Sequence, residues 1–107
     1  MVDGSNVIRL EGKISRVGIL SYTPSGIAIL PMTIAVPQQY LGKKNIGYFQ
    51  AIISGSLAEE RAGEFKIGRK VSLTGSLWTR TYRNRQSISV SETSIIIDSI
   101  GGKDEKK

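Results

Sequence analysis

The chain of 107 residues contains no cysteine and no histidine. The first absence rules out disulfides and zinc–thiolate sites. The second removes the side chain most often used as a general base or metal ligand near neutral pH. Aromatic residues are scarce, with a single tryptophan and four tyrosines, so each can be followed individually. Proline occurs three times against twelve glycines, which suits short strands joined by turns better than a helical bundle. No apolar run approaches the roughly 18 residues of a membrane-spanning helix, so no membrane partner is expected. The opening MVDGSNVIRL lacks the basic and then apolar pattern of a secretory leader, and a cytoplasmic location is the expectation.

Acid is missing over two long stretches. None lies between Glu11 and Glu59, where Lys13, Arg16, Lys43 and Lys44 fall, and none between Glu64 and Glu92, where Lys66, Arg69, Lys70, Arg80, Arg83 and Arg85 fall. The net charge is only +6, but this segregation leaves a continuous positive surface open to phosphates. The same scarcity argues against a nuclease or phosphoryl-transfer enzyme, which needs clustered carboxylates to hold metal ions. Glu59 and Glu60 are adjacent on an expected helix, where neighbouring side chains do not converge. Neither catalysis nor a cofactor or metal is expected.

What is present alternates. Over Val7–Val17, Ile8, Leu10 and Ile14 take one face while Arg9, Glu11 and Lys13 take the other, the pattern of a half-buried strand. Gly12 interrupts the apolar face where a strand would bend around a small barrel. Thr23-Pro24-Ser25-Gly26 is a turn, and Ile27–Val36 a second strand with Ala28, Leu30, Met32, Ile34 and Val36 on one face. Pro31 demands an edge or a bulge there; the sequence leaves both open. Pro37–Asn45 reads as a loop and Gly47–Ser54 as a third strand. Ser56 to Glu59 has capping-box spacing, opening a short helix that would stop at a left-handed Gly63. Gly68–Thr79 is a fourth strand, with Val71, Leu73 and Leu77 inward and Gly75 at a bend, and Ser87–Ile97 a fifth. Residues 1–100 thus form one domain, followed by a charged tail, GGKDEKK, over residues 101–107, whose composition disfavours packing. Five bent strands with one helix between the third and fourth are the pattern of an OB-fold, an all-β, partly open Greek-key barrel.

The stretch Gly75–Val90, GSLWTRTYRNRQSISV, stands out. Two alternating arms flank a basic tip; Trp78, Arg80 and Tyr82 share a face, Arg83 and Arg85 sit at the tip, and no acid lies within it. Flat rings with interleaved fixed charge suit a single strand of nucleic acid, because every base has a π-face and every linkage a phosphate. Duplex recognition is disfavoured, since no recognition helix or zinc finger is present. Each feature also has a plainer use: Trp78 as a lid over the barrel end, Tyr40 and Tyr48 in a subunit contact, and the arginines as guards against aggregation of an exposed ribbon.

From Val7 to Ile97 the chain resembles the bacterial single-stranded-DNA-binding proteins and their relatives of the primosomal replication protein N branch. The strongest stretch is Tyr48–Leu77, whose most similar words are Gly55–Glu59 (GSLAE), Lys66–Val71 (KIGRKV) and Gly75-Ser76-Leu77; outside it the Thr23–Ile27 turn (TPSGI) is also similar. The resemblance implies stacking positions at Tyr40, at Tyr48 and at Tyr82, with Trp78 on the Tyr82 face placed to assist. Ser54 departs from it, standing where an aromatic often sits. Lys43, Lys44, Arg80, Arg83 and Arg85 would supply phosphate contacts, with Lys13 and Arg16 extending the track. The chain ends in DEKK without the family's long tail, as the primosomal branch does, and that branch leads; truncation of a longer protein or a tail-less paralogue would give the same ending. The implied function is sequence-tolerant single-stranded DNA binding in replication or replication restart, as a homo-oligomer (a homodimer in the first instance) with restart proteins as partners. RNA binding and a purely protein-binding OB module stay open as alternatives.

Overall fold

The computed structural model describes residues 4–102. The strands are β1 (Ile8–Val17), β2 (Ser21–Tyr22), β3 (Ala28–Tyr40), β4 (Lys43–Ser54), β5 (Lys70–Arg83) and β6 (Ser89–Gly102). A helix α1 (Ser56–Arg61), continued by a 3-10 turn at Ala62–Glu64, joins β4 to β5. The sheet runs β1-β5-β6-β4-β3-β2 and is closed by a pairing of β1 with β3. Five long strands therefore form a barrel of OB-fold connectivity, with the helix between the third and fourth of them. The two-residue β2 was not foreseen, being too short to alternate.

Closure depends on β1 serving two neighbours. Ile8 to Lys13 pair with β5, whereas Lys13 to Val17 pair with β3. Gly12 lies at the crossing, and a Cβ there would run into the carbonyl oxygen of Ala35. Gly75 has the same part on β5, facing the carbonyl oxygen of Ile96 beside a bulge in β6. Both expected bends are therefore close approaches of backbone to backbone. Pro31 lies where the outer edge of β3 passes from β2 to β1; its carbonyl accepts from Gly18 N–H at 2.8 Å, on the side where an N–H would otherwise point. The irregular edge, with β1 shifting register between Ile14 and Arg16, settles the choice left open for Pro31.

The core is the inner alternation of the strands: Ile14, Leu30, Met32, Ile34, Ile53, Leu73 and Ile95, with Ala58 and Phe65 closing one end. Each aliphatic of that size contributes about 1.5–3 kcal/mol on burial. Ala28, Leu30, Met32 and Ile34 are buried on the face expected.

Several local expectations are corrected. The loop expected over residues 37–45 is a hairpin, with Pro37 opposite Ile46 and Tyr40 opposite Lys43. Its turn is only Leu41-Gly42, both at positive φ, 51° and 77°, as a type I′ turn requires. Its polar composition hid it, because a ribbon wet on both faces shows no apolar alternation. The helix is capped by Gly55 at φ 76° with no side-chain cap, so there is no capping box; the Glu59 carboxylate instead accepts from the Tyr22 hydroxyl at 3.0 Å. Gly63 is not left-handed; the left-handed glycine of this connection is Gly68, at φ 93°. Ser87, expected to open the last strand, is a turn residue at φ 61°. Leu77 keeps the inward parity of β5 but is 44% exposed, since β1 ends before it. The side-chain amide of Asn6 takes the missing strand's place, donating to Leu77 C=O and accepting from its N–H, both at 2.8 Å. Gly101 and Gly102, expected in the tail, belong to β6; the rest of the tail, residues 103–107, lies outside the described residues.

Candidate nucleic-acid interface

Beyond Leu77 the β5–β6 ladder leaves the barrel as a free arm. It continues in register through Trp78–Ser94, Arg80–Glu92 and Tyr82–Val90 to Arg83–Ser89, and none of these side chains is buried. Asn84 organises the tip: its Oδ1 accepts from Gln86 and Ile88 N–H at 2.9 and 3.1 Å, while its carbonyl accepts from Ser87 N–H at 3.0 Å. Ser87 occupies the left-handed position that a three-residue hairpin loop needs.

The arm has two unlike faces. One carries hydroxyl pairs, Thr79 with Thr93 and Thr81 with Ser91, each at 3.2 Å. Arg83 shares this parity, and its guanidinium donates to the Ser87 carbonyl at 2.8 Å, tying the turn. The other face carries Trp78, Arg80 and Tyr82, as the alternation foretold. Trp78 is 63% exposed. Arg85, at the tip, has no hydrogen bond or ion pair among the described residues.

An acid does stand beside this face, contrary to expectation. Glu92, across the ladder on β6, accepts from Arg80 Nη2 at 2.9 Å on one oxygen and from the Tyr82 hydroxyl at 3.1 Å on the other. Arg80 also lies over the Tyr82 ring, its Cζ 5.0 Å from the centroid. The hydrogen bond from Arg80, then that from Tyr82, holds the Glu92 carboxyl below its ordinary range. The same carboxylate raises the Tyr82 hydroxyl above its ordinary value.

Register carries these side chains around the outside of the barrel in two rows. Lys13 pairs with Ala35, Ala35 with Tyr48, and Glu92 with Arg80. The parallel contacts Ala51–Ile95 and Ile52–Ile96 bring Tyr48 to the level of Glu92. Beside this row runs a second: Arg16 with Thr33, Thr33 with Gln50, and Ser94 with Trp78. Gln50 and Ser94 line one recess of about 320 Å³ together with Glu92 and Thr93. Each row starts at a cation on β1 and ends on the β5 arm. Four strand spacings make the band about 19 Å long over the surface.

The structure thus joins Lys13, Arg16, Tyr48, Trp78, Arg80 and Tyr82 into one band. Tyr48 is 66% exposed on it, and Ser54 lies further along the same face of β4. The β3–β4 arm is divided. Lys44 and Ile46 share the Tyr48 face, whereas Tyr40 and Lys43 take the opposite one with Gln38 and Asn45, lining a separate recess of about 360 Å³. Tyr40 is therefore not brought to Tyr48. Thr33, Gln50, Ser94 and Glu92 are the band residues that sequence reasoning missed. Their polar alternation on the outer faces of β3, β4 and β6 was visible, but nothing in the sequence said which strands were neighbours.

A closed β-barrel that carries cations and exposed aromatic rings in register across its outer face belongs to the class of small OB-fold barrels. Comparison with known proteins narrows it. The model of the Single-strand binding protein family matches residues 5–101, and the chain belongs to that family. Single-stranded DNA-binding protein 2 of Streptococcus pyogenes serotype M18 is 30% identical over 96 residues, 87% of this chain and 59% of that protein. The Single-stranded DNA-binding protein of Streptococcus mutans is 31% identical over 96 residues, 87% of this chain and 58% of its own length. The chain thus spans less than two thirds of these relatives. A solved structure of the Plasmodium falciparum SSB complex with ssDNA superposes with a TM-score of 0.84, covering 97% of this chain and all of that one at 19% identity, which is a likeness of fold.

Proposed function

We propose that this chain binds single-stranded DNA with little sequence preference, by stacking bases on Trp78 and Tyr48 and by holding phosphates with Arg16, Lys13, Lys44, Arg80 and Arg85. The observation that carries the reading is the two-row band, in which strand register sets exposed rings on β4 and β5 in line with cations on β1 and β5. Membership of the family and the names of the streptococcal relatives support it. Stacking supplies about 1–3 kcal/mol per base without reading its edges, and guanidinium groups fork to phosphate oxygens. Such binding needs no bond chemistry, so the chain acts as a binder and not as an enzyme. The setting we assign with it is DNA replication or its restart in a bacterial cytoplasm, as a homo-oligomer.

Titration with poly(dT) at two salt concentrations, followed by the fluorescence of Trp78, tests the reading. Quenching is expected, with log K falling against log salt at a slope of roughly −2 to −4 for three to five phosphates engaged. A flat salt response without quenching would sink it. Tyr40, turned away from the band, and the exposed Leu41 beside it at the tip of the β3–β4 arm favour a second role for that tip, contact with another protein.

A further inference from the structure

Glu92 is the one acid in the two rows, and it stands on β6 one strand from their β5 end, between Tyr48 and Arg80. Its two oxygens take the Arg80 guanidinium and the Tyr82 hydroxyl, the kind of donors that the free oxygens of a phosphodiester would take. Arg80, drawn down by this contact, covers the Tyr82 ring and so also occupies a face on which a base would stack. One carboxylate therefore satisfies a cation and, through it, shields a ring.

Resting on the single-stranded DNA reading above, we propose that Glu92 is a built-in competitor for the strand, a carboxylate that fills the phosphate site of Arg80 and Tyr82 when no nucleic acid is present. Engagement of a phosphate at Arg80 is then an exchange and not an addition. Glu92 must swing away or lose its partners, and when the strand leaves it returns. This weakens the site and makes release easier, because the charge uncovered by each departing phosphate is neutralised from within the protein. It also makes stacking on Tyr82 conditional on the latch opening, whereas Tyr48 and Trp78 are available at all times. Glu92 thus sets affinity through Arg80 and Tyr82, without itself attracting the strand.

The experiment compares wild type, Glu92→Gln, Arg80→Ala, the double variant and, as a charge control, Glu60→Gln on the exposed surface of α1. Binding of a fluorescein-labelled dT oligonucleotide is measured by anisotropy at several salt concentrations, with thermal midpoints confirming that each variant is folded. Glu92→Gln is expected to tighten binding about two- to fivefold at low salt, the range that corresponds to releasing one exposed ion pair. Its salt slope should steepen by about 0.7, one further phosphate. In the Arg80→Ala background the same substitution should leave the slope unchanged and give a clearly smaller gain in affinity, and Glu60→Gln should leave the slope at its wild-type value. Equal or weaker binding by Glu92→Gln overturns the proposal, as does a gain of equal size without Arg80, which would make it a general effect of charge. If Glu92→Gln does not fold, Glu92→Asp, whose carboxylate is too short to hold both partners, should show a smaller gain, and none would refute the competition. Failure of wild type to bind the oligonucleotide overturns the DNA reading as well; binding with no Glu92 effect overturns the competition alone.

Discussion

Truncating Tyr48 and Trp78 to alanine, singly and together, tests the geometry of the band most directly. The two rings lie in neighbouring rows on β4 and β5, with β6 between those strands. Two strand spacings and a step along the row put them about 10 Å apart or more, too far to grip one base between them. Each should hold its own base, so each truncation should cost about 1–3 kcal/mol, a loss of about 5- to 160-fold in affinity. Sites this far apart add, so the double variant should lose the sum, about 2–6 kcal/mol. Neither ring touches a phosphate, and the salt slope should stay that of wild type. Both side chains are largely exposed, so unfolding free energies should move by no more than about 0.5 kcal/mol, separating binding from folding. The assay is anisotropy of a labelled dT oligonucleotide over a salt series. A double-variant loss no larger than one single loss would show that the rings serve a common base, and would refute the row geometry.

Four further outcomes follow from other parts of the molecule. Ser54→Trp, placing a ring on the face of β4 that carries Tyr48, should raise affinity for the same oligonucleotide by about fivefold or more. Gly75→Ala forces a Cβ against the Ile96 carbonyl and should lower the denaturation free energy by at least about 2 kcal/mol, seen in urea melts. Leu41→Asn suits the left-handed turn position that leucine now occupies and should stabilise by about 0.5–1 kcal/mol, read from the thermal midpoint. The Glu92 carboxyl should titrate below the ordinary glutamate range in wild type, through the Arg80 hydrogen bond first, and move upward in Arg80→Ala when followed by carboxyl NMR. The sign is that of a depressed acid: its contribution to stability is present above the unfolded-state pKa and is lost as pH falls through the folded one.

The barrel was legible because its strands obey one-sided burial. Ala28, Leu30, Met32 and Ile34 could face only one way, and Gly12 and Gly75 announced the bends at which strands touch. The β3–β4 arm was not, because Gln38, Gln39, Lys43, Lys44 and Asn45 are wet on both faces and a two-residue turn without its usual Asn-Gly looks like any loop. The capping box failed because Gly55 had already turned the chain, leaving Ser56 inside the helix. At the site, Trp78, Arg80 and Tyr82 shared a face by parity alone. Whether Tyr40 joins Tyr48 depends on the register of the β3–β4 hairpin, and where Glu92 stands depends on pairing across β5 and β6. Such facts of topology decide which distant residues meet, and a single strand's pattern does not contain them.

The hydroxyl pairs on the back of the β5–β6 arm have one more consequence. With Thr79, Thr81, Ser91 and Thr93 there instead of aliphatic residues, that face of the arm has little apolar surface to lose when its strands separate, and the other face offers only its exposed rings. Its opening is opposed by ladder bonds in water, by the exposed contacts of Glu92 with Arg80 and Tyr82 and by the Asn84 turn, while opening of the barrel is opposed by the whole core. The two therefore behave as separate cooperative units, with amide protons of the arm exchanging through local opening and those of β3 and β4 near Ile34 and Ile53 only through global unfolding. A strand lying across both units would raise protection in the arm far more than in the barrel, so amide exchange at Thr79, Thr81 and Ser91 would report occupancy without any label on the DNA.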